Sequence, residues 1–106
     1  MRIKEQTVEK LRVRIFENRR DLGAYAASEA AAALRQLLQQ KREVNLIFAA
    51  APSQSEFLEA LCQEPDIDWT SVNAFHMDEY VGLSIGQAGS FTNFLNQAVF
   101  DRLPFK

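Results

Sequence analysis

Two adjacent carboxylates, Asp78 and Glu79, followed by Tyr80, close an apolar run that begins at Val72. A carboxylate in such a place can serve as a general base, because partial desolvation raises its pKa toward neutrality. The run Val72-Asn73-Ala74-Phe75-His76-Met77 reads as a strand, so the acids stand just past its carboxyl end. In an open α/β sheet ligands bind at that edge, where loops surround a crevice and helix N-termini point into it. Side chains alternate along extended backbone, so one acid of the pair is expected to face a ligand. Standing alone, an Asp-Glu pair at a strand end more often caps a turn and meets solvent.

The elements that must position these acids come before them. Residues 1–10 are polar and mixed in charge, and read as a flexible tail or an edge segment. Leu11-Arg12-Val13-Arg14-Ile15-Phe16 alternates apolar and basic, the pattern of a half-buried strand, with arginines suited to a sheet edge. Asn18, with Asp21 three residues on, predicts a helix start. That helix runs to about Gln40, with Leu22, Tyr25, Ala26, Ala30, Ala33, Leu34, Leu37 and Leu38 on one stripe. Val44 to Ala51 is nearly continuous in apolar residues, as in a parallel strand covered on both faces, and Pro52 stops it. Ser53-Gln54-Ser55-Glu56 has capping-box spacing, and Phe57, Leu58, Leu61 and Cys62 make a short amphipathic helix.

After the loop Pro65–Thr70 and the strand 72–77, the stretch from Tyr80 to Gly89 carries Gly82, Gly86 and Gly89 and can bend. Ser90 suits the cap of a last helix, Phe91 to Phe100, with Phe91, Phe94, Leu95, Ala98 and Val99 on its inner face. Alternating strands and helices predict an α/β fold, a three-layer parallel sheet with helices on both faces, Rossmann-like, over a single domain 1–106.

At 106 residues, 47% hydrophobic and 25% charged, the chain has the composition of a soluble globular domain. A net charge of −2 gives no electrostatic case for a nucleic-acid or anionic-membrane partner. The amino terminus has no apolar signal core, and no run approaches the roughly 18 apolar residues of a membrane span. Cys62 has no internal disulfide partner, which fits a reducing compartment, and a cytoplasmic location is expected. One histidine and one cysteine do not build a zinc site, so neither metal nor cofactor is expected. His76 reads as a packed strand histidine and Cys62 as a small core residue. Phe57, Trp69, Phe75, Phe91, Phe94 and Phe100 read as core rather than as a stacking surface.

Asp68-Trp69, then Val72 through Asp78-Glu79-Tyr80-Val81-Gly82-Leu83, with Ser90-Phe91 and Phe94 beyond, closely resemble the glucosamine-6-phosphate deaminase/isomerase family. Tyr80 favours the deaminase branch over the related 6-phosphogluconolactonases, which usually have arginine there. The resemblance covers most of this chain but only the amino-terminal part of the family's domain, so the chain is expected to be an incomplete half of it. It implies that Asp78 is the base moving a proton between the first two carbons of an opened sugar phosphate, through an enol, with loss of ammonia. Glu79 matches the family motif too and reads as its supporting partner.

The resemblance also implies that the turn after the second strand holds the sugar's phosphate, with Ala51 and Ser53 standing in that position. The family's turn is rich in glycine, whereas this one reads Ala49-Ala50-Ala51-Pro52-Ser53, and Pro52 has no N–H to offer. Ser53 is therefore open to two readings, a helix cap serving Glu56 or a phosphate contact. The family's ring-opening Asp-Gly-His segment has no counterpart before Lys106, so the chain alone is expected to be inactive. A phosphorylated amino sugar is the expected ligand. The alternatives are a sugar-phosphate-binding regulatory module and a 6-phosphogluconolactonase-like hydrolase. A sheet ending at residue 77 leaves an edge open, so self-association into a homo-oligomer is expected.

Overall fold

The computed structural model describes residues 2–77 and 94–105. The first strands are β1 (Arg2–Val8) and β2 (Leu11–Phe16), an antiparallel hairpin turning at Glu9, whose φ is 54°. Of the two readings of residues 1–10, tail or edge segment, Arg2–Val8 takes the second, as a strand. Every residue of β1 is exposed, so backbone pairing holds it rather than burial. Glu5 adds ion pairs to Arg2 at 2.7 Å and to Arg14 at 3.3 Å. Exposed pairs of this kind contribute about 0.2–1 kcal/mol each. The hairpin docks through Phe16, whose ring centroid is 5.1 Å from that of Tyr25, and through Arg14, whose guanidinium lies 5.2 Å from the same ring.

Helix α1 (Arg19–Gln40) begins where its cap predicts: Asp21 N donates to Asn18 Oδ1 at 2.8 Å. Its buried residues are Gly23, Ala27, Ala31 and Leu34; of the expected stripe Leu34 is buried, Ala30 and Leu38 pack against the core, and Leu22 and Leu37 are exposed. The reason is the neighbour. Helix α2 (Ser55–Gln63) lies so close that small residues, not the leucines, face it. The two helices run in the same direction, with Arg19 tied to Glu56 at the start of α2 and Arg35 tied to Glu64 and the Pro65 carbonyl at its end.

Strands β3 (Val44–Phe48) and β4 (Val72–His76) form a parallel pair, with Val44 opposite Val72 and Phe48 opposite His76. Among the described residues this sheet has two strands, and β2 pairs only with β1. The expectation of one parallel sheet including Leu11–Phe16 is corrected: the polar strand before it supplies β2's partner. Side chains alternate across β3 and β4. Val44, Phe48 and Val72 are buried, whereas Ile47 is 63% and Phe75 53% exposed. Phe75 is thus not core, and among the described residues the pair is covered on one face, not both. Across the pair, Asn73 Nδ2 donates to Asn45 Oδ1 at 3.0 Å.

The core gathers Leu58 and Leu61 of α2, Trp69, and Leu95 and Val99 from the carboxyl-terminal helical segment, which ends in a π-type turn at Asn96–Phe100. Burying a side chain of this size contributes about 1.5–3 kcal/mol. Phe105, which carries no sequence signal of its own, packs edge-on against Phe48, Trp69 and Phe100 at centroid distances of 5.3–5.9 Å. Of the expected last helix, Phe94 to Phe100 falls within the described residues, and Ser90 and Phe91 lie outside them.

Candidate functional site at the carboxyl edge of the parallel strands

Because β3 and β4 are parallel and end in register, their carboxyl ends lie side by side, and Met77 N donates to Phe48 O at 2.9 Å. The turn after β3 and Met77, which follows β4, therefore stand at one edge of the sheet. This is the edge at which ligands bind in open α/β sheets. Asp78 and Glu79 follow Met77 in the chain but lie outside the described residues, as does the stretch Tyr80–Gly89.

The turn after β3 is described throughout. Ala51 is extended (φ −161°, ψ 149°), Pro52–Gln54 form a 3₁₀ turn, and α2 starts at Ser55. Pro52 sets this up, since its ring fixes φ near the helical value and its missing N–H is not needed at a helix start. Gln54 N donates to Ala51 O at 2.9 Å, and Ser55 N donates to Pro52 O. Ser53 is exposed within this turn. The capping-box reading is corrected: Gln54 occupies the position before α2 with no side-chain cap bond. Its backbone is helical (φ −91°, ψ −7°), whereas a cap requires extended backbone, which here belongs to Ala51.

The arginine at the start of α1 was not singled out from sequence. Arg19 Nη2 donates to Pro52 O at 2.9 Å and lies 2.9 Å from Glu56 Oε1. Arg19, Ser53, Gln54, Glu56 and Gly23 line one cavity of about 350 Å³ between α1 and the turn. No local pattern marks Arg19, because its partners are more than thirty residues away.

Behind this edge, Asp68 accepts from Thr70 Oγ1, from Ser71 Oγ at 3.0 Å and from Thr70 N at 3.2 Å. Those hydroxyl bonds hold its carboxyl below the ordinary range. This motif aspartate thus caps the 3₁₀ turn Trp69–Ser71 that feeds β4. His76 is half-buried in β4, opposite Phe48. Cys62 Sγ donates to Ala98 O at 3.5 Å, and burial pushes its thiol pKa up, as for a packed rather than a reactive cysteine. Among the described residues, no helix is long and apolar enough to cross a membrane.

No protein-family model matches the chain. A glucosamine-6-phosphate deaminase of Listeria welshimeri is 36% identical over 64 residues, which are 60% of this chain and 27% of that protein. Another, of Streptococcus sanguinis, is 36% identical over 58 residues, 55% of this chain and 24% of that one. Among solved structures, a monomeric glucosamine-6-phosphate deaminase of the NagB superfamily aligns with a TM-score of 0.74 at 20% identity, over 86% of this chain and 37% of that one. A 6-phosphogluconolactonase of Shewanella baltica aligns with a TM-score of 0.76 at 17% identity, over 86% of this chain and 40% of that one. The chain thus has the mixed α/β fold of these proteins and resembles the amino-terminal part of the deaminases. The matched segments span about a quarter of the length of those curated relatives.

Proposed function

We propose that this chain is the amino-terminal part of a sugar-phosphate domain whose chemistry is that of a glucosamine-6-phosphate deaminase. The observation that carries this reading is the 36% identity to the Listeria welshimeri deaminase. The shared carboxyl edge of β3 and β4 supports it, because the Ala51–Ser55 turn and Met77, the residue before Asp78, follow strands that end side by side there. The ligand is a phosphorylated amino sugar. The Ala51–Ser55 turn meets its phosphate with the Ser53 amide and hydroxyl, while the Gln54 and Ser55 amides serve the turn itself. Asp78 takes the proton from C2 of the ring-opened sugar and returns it at C1, and Glu79 supports it. Protonation of the enol at C1 leaves a C2 iminium, which water hydrolyses to the ketose with release of ammonia.

In the complete domain the parallel sheet extends and is covered on both faces by helices. The apolar residues Ile47, Phe75 and Met77 on its bare face favour that architecture. The experiment is a chimera in which this chain replaces the matching segment of the Listeria welshimeri enzyme. Ammonia release from glucosamine 6-phosphate is expected, with Asp78→Asn lowering turnover by about 10²–10⁴-fold, the usual worth of a general base. Full turnover in the Asn variant would place the base elsewhere. The chain alone is expected to release no ammonia, since a base without a complete site does not hold the substrate in a reactive geometry.

A further inference from the structure

Arg19 bridges the 3₁₀ turn and the first turn of the helix that follows it. Its Nη2 donates to Pro52 O at 2.9 Å, and the same nitrogen reaches Glu56 Oε1 at 2.9 Å and Oε2 at 3.2 Å. Pro52 O also accepts from Ser55 N, so the bond that closes the 3₁₀ turn and the guanidinium meet on one oxygen. Four residues along α1, Gly23 lies directly against the backbone of Glu56 and Phe57. The start of α1 therefore grips the 3₁₀ turn through a carbonyl, and the first turn of α2 through a carboxylate and a backbone contact. At the far end of α2, Arg35 repeats the carbonyl-and-carboxylate grip on Pro65 and Glu64, well away from the carboxyl edge of the strands.

We infer that Arg19 is the positioning residue of the Ala51–Ser55 turn, holding through Pro52 and Glu56 the backbone that meets the sugar phosphate. The second half of that statement rests on the proposed function; the first stands on the contacts alone. A guanidinium suits the task because its Nη2 carries two N–H donors in one fixed plane, which serve the Pro52 carbonyl and the Glu56 carboxylate together. The ion pair is solvent-facing, with side-chain exposures of 65% for Arg19 and 30% for Glu56. An exposed pair of this kind shifts a local equilibrium by up to about fivefold. Arg19 is not assigned as a phosphate ligand, because its charge is already engaged by Glu56.

The test reads the turn itself. Amide hydrogen exchange is followed by NMR on the full 106-residue chain, for the native protein and for Arg19→Gln, Glu56→Gln and Arg35→Gln. Arg19→Gln and Glu56→Gln are expected to lower protection of the Gln54 and Ser55 amides by about two- to fivefold. Arg35→Gln, which removes the same kind of grip from the other end of α2, is expected to leave those two amides unchanged. Unchanged protection in Arg19→Gln, or equal effects of Arg19→Gln and Arg35→Gln, would overturn the inference.

Titration with glucosamine 6-phosphate adds a sign. If Arg19 positions the turn, Glu56→Gln weakens binding even though it removes a negative charge near the anion. Tighter binding in Glu56→Gln would instead make Arg19 a direct anion contact and overturn the positioning role. Absence of binding by every form would count against the sugar-phosphate reading, while the exchange data would still decide the brace.

Discussion

Gly23 of α1 and Glu56 of α2 meet at backbone distance: a Cβ on residue 23 would lie 2.8 Å from the Glu56 carbonyl carbon and 2.8 Å from its Cβ. Phe57 N would be equally near, so the obstruction is main chain and cannot swing aside. Replacing glycine by alanine in a helix ordinarily stabilises by about 1 kcal/mol. Overpacking of this kind costs about 1–3 kcal/mol and stands here at the upper end. Gly23→Ala is therefore expected to destabilise the chain by about 2 kcal/mol, read from urea midpoints at constant m. A stabilised Ala variant would show that the two helices are not held at this separation.

That contact also explains what was legible in the sequence. The Asn18 cap, the span of α1, the short α2 and the strand at 72–76 follow from local signals, since capping and periodicity are set by near neighbours. The stripe of α1 is legible only in part: Leu34 is buried as expected, but hydrophobicity does not pick out Gly23, Ala27 and Ala31, which close helix packing selects. The sequence leaves the β1 residues between a tail and an edge segment because they are polar, and pairing with β2 rather than burial makes them a strand. At the site, the motif and its turn could be found in the sequence. Arg19 could not, because its partners lie a helix and a strand away.

The second prediction concerns acid. Hydroxyl bonds from Thr70 and Ser71 lower the Asp68 pKa from its ordinary 3.8. The unfolded chain, with the higher value, binds the proton first as pH falls. The stabilisation is thus complete above 3.8 and is lost as pH drops through the folded value below it. Asp68→Asn keeps an acceptor at the cap and removes the charge. Its stability is expected to fall below the native protein's near neutral pH and to converge with it well below 3.8. A gap in denaturation midpoints that does not change with pH would contradict this origin.

The third concerns the bare face of β3 and β4. Ile47, Phe75 and Met77 are 63%, 53% and 67% exposed. Apolar residues exposed together on a sheet mark an interaction or aggregation surface. The chain is expected to self-associate at micromolar concentration, and Phe75→Lys to shift it toward monomer, as followed by light scattering. A monodisperse native monomer over that range would refute this.

The central claim is that the Ala51–Ser55 turn holds a sugar phosphate, and the most direct measurement is an NMR titration of the chain with glucosamine 6-phosphate, using glucosamine as control. The phosphate ester should shift the amides of Ala51, Ser53, Gln54 and Ser55, and the sugar without phosphate should leave them still. A charge-assisted hydrogen bond contributes about 1.5–3 kcal/mol, so Ser53→Ala should weaken binding by roughly 10- to 150-fold. Pro52→Gly, which restores an N–H, should strengthen it. Equal shifts with both sugars, or an affinity unmoved by either substitution, would contradict the claim.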